Sequence, residues 1–212
     1  MHQVLRLLSK VAERYAPSRL LSFDSVHVLK AMQLMENKKR ISRSLLMHEL
    51  GLGEGSVKTL VKHMKMSGLI ENSNAGMWST NKGKTVYEKL HCAIPNEMDV
   101  FKCSIALGKF NYAVLVKDVA YNIKSGIEQR DAAIKLGAVG ATTLIFKNGR
   151  LLMPDTREDL LRNNPKIHSL VIKKLMPKDN DVIIIGSSEN KRTAELAAKS
   201  AALHTIANHE KH

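Results

Sequence analysis

Ser42-Arg43-Ser44-Leu45-Leu46-Met47-His48-Glu49-Leu50-Gly51-Leu52-Gly53-Glu54-Gly55-Ser56-Val57-Lys58-Thr59-Leu60-Val61-Lys62-His63-Met64-Lys65-Met66-Ser67-Gly68-Leu69-Ile70 is the stretch whose reading decides the fold. Ser42 suits the cap of a short helix whose Leu45, Leu46 and Leu50 face inward. Gly51 suits a left-handed turn between two helices set at a steep angle, with Leu52 plugging the angle. The next helix starts near Glu54 and spaces Val57, Leu60, Val61 and Met64 at i, i+3, i+4, i+7, one buried stripe. Its opposite face then carries Ser56, Lys58, Thr59, Lys62, His63 and Lys65. Hydroxyls and cations on a free helix face are the chemistry of phosphate contact and base-edge reading. His63 also has an ordinary reading as a solvated helix residue. Gly68 closes the helix, and Leu69-Ile70 begins a strand.

Downstream, Leu69-Ile70-Glu71 and Met77-Trp78-Ser79 pair as two strands around a turn-forming tip, Asn72-Ser73-Asn74-Ala75-Gly76. Thr80-Asn81-Lys82-Gly83 then opens a closing helix through Leu90. The order helix, helix, outward-facing helix, hairpin, helix resembles the winged helix-turn-helix of many microbial repressors. That resemblance implies double-stranded DNA as partner. It makes Arg43 and Ser44 at the first helix start, Asn74 at the wing tip, and Lys82 and Lys84 on the closing helix further DNA-contact candidates. Trp78 reads as the hydrophobic anchor of the wing, and Lys38, Lys39 and Arg40 as a charged loop. Winged helices also serve as protein-docking and RNA-binding modules.

Upstream, residues 2–15 place Val4, Leu5, Leu8, Val11, Ala12 and Tyr15 at helical spacing, ended by Pro17. A second subunit would cover this stripe, and so would the body of the chain. Residues 24–37 form another helix, with Asp24 or Ser25 as cap. Around Pro95-Asn96 the periodic pattern breaks into a linker, dividing the chain into 1–94 and 95–212. The fold class expected is α+β: an N-terminal winged helix-turn-helix (three-helix core plus β-wing) followed by a mixed α/β domain.

The 33 Lys and Arg against 20 Asp and Glu give a formal charge of +13, which favours a polyanionic partner over a merely solvated surface. The first 94 residues hold 15 basic and 7 acidic side chains against 18 and 13 in the longer remainder, so charge density is higher where the motif lies. Two cysteines, Cys92 and Cys103, form no disulfide framework. Together with the lack of a signal-like start and of any membrane-length apolar run, they point to a reducing cytoplasm.

In the second half, Tyr112-Ala113-Val114-Leu115-Val116 reads as a strand, and Ser125-Gly126 opens a helix ending at Gly137. Thr142 to Phe146 and Arg150 to Met153 flank Lys147-Asn148-Gly149, a type I′ hairpin signal. Asn164-Pro165 starts a helix through about Leu175. Asp181 to Ile185 reads as a buried strand, and an Ala-rich helix runs from Asn190 to about Ala207. Lys124 to Ile134 and Gly140 to Gly149 resemble an uncharacterised C-terminal domain attached to archaeal winged-helix proteins. That resemblance implies a regulator and carries over no ligand or catalytic residue.

Two polar groupings are small-molecule candidates. One is Ser125, Gly126, Gln129, Arg130 and Asp131 with Thr142 and Thr143, which also reads in part as an exposed helix face. The other is Gly186-Ser187-Ser188, where a strand-to-helix turn would offer free N–H groups to an anion. No nucleophile–base pair, carboxylate dyad, metal box or cofactor fingerprint is visible, and His91-Cys92 with Cys103 lacks a C-x-x-C partner. The expectation is a non-enzymatic, sequence-specific regulator, homodimeric, with a second domain that dimerises and senses a small-molecule effector. The alternatives are a nucleotide-acting enzyme recruited by a winged helix and a non-specific chromatin or RNA binder.

Overall fold

The computed structural model describes residues 1–13 and 21–209, and the expected stop at Pro17 lies outside them. The chain separates into two compact units, Met1–His91 and Cys92–His212.

The first unit is mostly helical. Helix α1 (His2–Val11) buries Val4, Leu8 and Val11. It packs against α2 (Ser25–Lys38) and α4 (Glu54–Met66), so this stripe is covered within the chain itself. Asp24 starts α2 with a reciprocal cap: its Oδ1 accepts from the Val26 N–H at 3.0 Å, while its own N–H donates to His27 Nδ1 at 3.1 Å. Burial alone would push the Asp24 carboxyl up. The hydrogen bond and charge of His27, with the Val26 and His27 amides, outweigh it and hold the group below its ordinary value.

Helix α3 (Arg43–Leu50) is capped by Ser42, whose Oγ accepts from the Leu45 N–H at 3.1 Å, and it ends at Gly51 with φ of 68°. After α4, strands β1 (Ile70–Ser73) and β2 (Gly76–Ser79) pair antiparallel, Ile70 opposite Ser79 and Ser73 opposite Gly76. The tip is therefore the two residues Asn74-Ala75 rather than the five expected. Ile41 extends this hairpin: its N–H donates to Met77 O at 3.0 Å and its carbonyl accepts from Met77 N at 2.9 Å. The close approach explains Gly76, since a Cβ there would lie 3.0 Å from Ile41 O at a φ of +119°. Helix α5 (Asn81–Ala93) closes the unit. Met32, Met35, Leu46, Leu50, Leu60, Met64, Leu69 and Leu90 are buried at its centre.

The second unit is a five-stranded sheet in the order β3-β4-β7-β5-β6, antiparallel throughout. Its strands are β3 (Glu97–Val100), β4 (Phe110–Val116), β5 (Gly140–Lys147), β6 (Arg150–Leu152) and β7 (Val182–Ser188). Glu97–Val100, expected in a linker, is thus an edge strand. Its Pro95 sits just ahead of the pairing, where a missing N–H costs no ladder bond.

Strand alternation divides the two faces. Ala113, Leu115, Leu144, Phe146, Ile183 and Ile185 meet Val171 and Leu175 of α7 (Pro165–Leu175) in one core. The other face is covered by α6 (Ile127–Ile134) and α8 (Lys191–His209), with α8 against β4 and β7 and α6 against β5. In the β5–β6 turn Asn148 and Gly149 both take positive φ, 50° and 74°, as a type I′ turn requires. No helix among the described residues is long and apolar enough to cross a membrane.

Candidate nucleic-acid interface

The outward face of α4 exists because α3 packs behind it and α1 beside it. Lys58, Lys62 and Lys65 are exposed there, and Ser56 and Thr59 are half-buried. Lys58 Nζ lies 2.7 Å from Glu54 Oε1, and this hydrogen bond holds the Glu54 carboxyl below its ordinary value. The pair is exposed on both sides, so an incoming phosphate competes for Lys58 at little cost. The Thr59 hydroxyl donates to Gly55 O at 2.9 Å, leaving its lone pairs to accept.

His63 is corrected. It is only 6% exposed, its Nδ1 lies 2.8 Å from Val11 O, and its ring meets Phe23 edge-on at 5.9 Å. At 100° per residue it lies just beside the Leu60 edge of the apolar stripe, on the side α1 covers. The His63 ring is thereby taken out of any groove.

Arg43 and Ser44 are exposed at the start of α3, and Asn74 is exposed at the hairpin tip. Lys84 is exposed on α5. Lys82 is exposed too, but its Nζ donates to Ser67 O at 2.7 Å, a cap on the C-terminal end of α4. A cleft of about 490 Å³ runs between Arg40, Ile41, Ser42 and Arg43 and the hairpin residues Asn72 to Met77. Arg40 stacks over Trp78, 4.7 Å from the ring centre. Reading Arg40 as part of a solvated loop missed this. The cause is the Ile41–Met77 bridge, which draws the loop onto the hairpin and which no local pattern announces.

In the second unit the candidates divide. Gly126, at φ +80°, lies against Thr143, whose Cβ would sit 3.1 Å from a Cβ placed on the glycine. Thr142 and Thr143 are neighbours in β5 and so face opposite sides of the sheet; only Thr143 joins the Ser125-Gly126 turn. Thr143 is 3% exposed, and its Oγ1 has no hydrogen-bond partner. Gln129 is buried, and its Nε2 donates to Thr205 Oγ1 at 2.9 Å, tying α6 to α8. Arg130 and Asp131 pair at 3.5 Å on the surface. A cavity of about 550 Å³ opens beside them, lined by Tyr121 to Gln129 and Asn208.

Gly186, Ser187 and Ser188 do not form a strand-to-helix turn. They are the last residues of β7, and α8 starts at Lys191. Ser187 Oγ donates to Asn111 Oδ1 at 2.7 Å, and Ser188 Oγ accepts from the Asn190 N–H at 3.3 Å. A Cβ on Gly186 would come within 2.5 Å of Ala194 O, so this glycine lets α8 lie on the strand. The open N–H groups expected of it are therefore spent.

Three comparisons bear on these units. Residues 25–94 match the model described as CggR N-terminal DNA binding domain. Residues 107–206 match a domain of unknown function, DUF4443. The chain is also similar to the solved structure of hypothetical protein PH0730 from Pyrococcus horikoshii OT3. Identity is 26% and the TM-score 0.68, over 90% of this chain and 94% of that one. No curated protein matches the chain at a significant level. The architecture is thus a helical unit similar to a DNA-binding domain, joined to a separate sheet-containing unit of unknown function.

One cluster in the second unit escaped sequence reasoning altogether. Lys199 of α8 is 1% exposed and pairs with Glu195 at 2.5 Å and Glu97 at 3.0 Å. Its Nζ stands 5.6 Å from the centre of the Tyr112 ring. Burial, and then the charges of Glu97 and Glu195, push the Tyr112 phenol far above its ordinary value. The i, i+4 spacing of Glu195 and Lys199 was visible, but not the strand that buries them. Among the described residues no three His, Cys, Asp or Glu side chains converge to hold a metal. Cys92 is exposed and Cys103 half-buried, and His91 stacks on Tyr87.

Proposed function

We propose that this chain is a sequence-specific DNA-binding transcriptional regulator whose first unit acts as a winged helix-turn-helix. In this reading α4 enters the major groove, and Lys58, Lys62 and Lys65 contact phosphate while Ser56 and Thr59 approach base edges. Arg43, Ser44, Lys84 and the hairpin tip at Asn74 contact the flanking backbone. The observation that carries the proposal is the outward face of α4, whose cations are exposed while its apolar stripe is fully covered. The likeness to a DNA binding domain over residues 25–94 supports it, as does the hairpin extended by Ile41. A single such unit reads few base pairs, so two copies binding half-sites about one helical turn apart would supply the specificity. The second unit would then provide the dimer contact and, at the Ser125–Gly126 turn beside Thr143, a place for a small effector.

The test is the Lys58→Ala/Lys62→Ala double variant, titrated with a duplex selected from a random pool by the full-length protein. Loss of two phosphate contacts should flatten the salt dependence by about 1.8 in log K against log salt and lower affinity at least about tenfold. An enriched inverted repeat in the selection supports the dimer. Equal affinity of parent and variant would sink the docking mode.

A further inference from the structure

The second unit carries a cationic face of its own. From Leu160 to Met176 the sequence holds Arg162, Lys166, Lys173 and Lys174 and no carboxylate. All four cations are exposed, and among the described residues none of them has a carboxylate partner. Elsewhere in this unit, Lys117, Arg130, Lys191 and Lys199 each pair with a carboxylate. Other cations of this unit, such as Lys135, Lys147 and Arg150, are exposed as well, but α7 differs in carrying three lysines and no carboxylate among its own residues.

Its geometry parallels that of α4. Val171 and Leu175 of α7 enter the core, with Ile167 and Ile172 packed against it. Lys166, Ser169 and Lys173 recur at i, i+3, i+7 on the exposed side, as Lys58, Lys62 and Lys65 recur at i, i+4, i+7 on α4. The two end lysines of α7 are about 10 Å apart along the axis.

Helix stability accounts for Lys173 and Lys174, which lie in the last turn where cations favour the macrodipole. It does not account for Lys166, which sits in the first turn against the positive end. Nor does α7 present an open N-terminus, since Asn164 Oδ1 accepts from the Ile167 N–H and Pro165 has no N–H to offer. The outward lysine face, rather than the helix end, is the feature a polyanion would meet.

We propose that this face of α7 is a second contact surface for duplex DNA, binding the phosphate backbone without sequence preference. The proposal rests on the DNA-binding reading of the first unit, and adds that the unit of unknown function holds the duplex directly. Duplex carries one charge per about 1.7 Å of its axis, so a face of this length meets several phosphates.

The experiment uses the full-length protein and its Lys166→Gln/Lys173→Gln/Lys174→Gln variant, titrated with a duplex of unrelated sequence over ~0.05–0.3 M KCl. The expected result is a salt dependence shallower by about 2 to 3 in log K against log salt, with affinity at low salt reduced about tenfold or more. The matching Lys→Arg variant should keep both, which separates charge from local folding. Equal slope and affinity in the Gln variant overturn the proposal. If the Lys58→Ala/Lys62→Ala variant loses binding while the α7 variant does not, the first-unit reading stands and this one falls. If the parent binds no duplex at any salt, both fall.

Discussion

In the first unit the lysines of α4 are turned outward, whereas in the second Ser187 and Ser188 of β7 and Lys199 and Thr205 of α8 are turned inward. Lys58, Lys62 and Lys65 point away from a filled apolar core. Ser187 is bound to Asn111, Gln129 to Thr205, and Lys199 to Glu195 and Glu97. Asp181, 1% exposed, accepts from the Lys117 ammonium and from the Asp118 and Lys178 amides. Groups of the first kind are available to a partner. Groups of the second kind have their partners already, and hold a sheet and its helices in register. Polar residue type alone therefore says little about function; the direction of the side chain decides.

Removing an inward group should show the largest effect. Lys199→Met keeps most of the side-chain volume but leaves Glu195 and Glu97 facing each other with no cation between them. Breaking a buried ion pair from one side costs about 3–5 kcal/mol, and urea unfolding of the variant should show a loss of that order. Replacing Glu195 by Leu in the same chain should recover part of it, because the apolar pair no longer strands a charge. A single-variant loss below about 1 kcal/mol would mean that the cluster is a solvated surface pair, and the contrast between the units would fail.

His63 is the exception in the first unit. Its His63→Leu variant should lose about 1–2 kcal/mol of stability through the bond to Val11, while the salt dependence of duplex binding stays that of the parent. A flattened salt dependence would return the ring to the DNA-facing side.

The same residue shows how far sequence reading reaches. Local pattern located α4, its buried stripe, the Ser42 cap and the Gly51 turn, because each is fixed by residue type and spacing within one or two turns of chain. It placed His63 outward because the helix that covers it, α1, lies some fifty residues away in sequence. Gly186 failed for the same reason: a strand followed by Gly-Ser-Ser reads as a turn until α8 is seen lying on it. Arg40, Lys199 and Glu97 also depend on a pairing at long range. Of the small-molecule candidates, Ser125, Gly126 and Gln129 line one cavity and Thr143 lies against Gly126, while alternation along β5 turns Thr142 to the other side of the sheet.

The Asp24 cap tests the boundary between the two behaviours, because its carboxyl is half exposed yet already bound to its own helix end. Asp24→Ala should cost about 1 kcal/mol at neutral pH. Its carboxyl lies below the ordinary 3.8 in the folded chain, so its ionised form favours folding. That contribution is fully present above the unfolded value and is lost as pH falls through the lower folded one. The gap between parent and variant, followed by thermal unfolding, should therefore be wider above about pH 4 than below it. A gap that is the same at pH 7 and pH 3 would assign the cap to hydrogen-bond geometry alone, without its charge.

Thr143 is the exception in the second unit, and it gives the smallest and most informative change. It is buried on β5 beside Gly126, yet its hydroxyl meets no partner. An unpaired buried hydroxyl is a desolvation cost, and Val has nearly the same shape with a higher preference for strand. Thr143→Val should therefore leave stability unchanged or raise it by up to about 1 kcal/mol, as read from urea unfolding. Every other inward polar group named here should respond in the opposite direction, because removing it orphans a partner. If Thr143→Val instead destabilises the chain, the hydroxyl has a partner in solution, and the turn at Ser125-Gly126 is the place to look for it. If it stabilises, the chain carries at this position a polar group that its own fold does not use. A ligand that contacts it would then bind the parent more tightly than the valine variant.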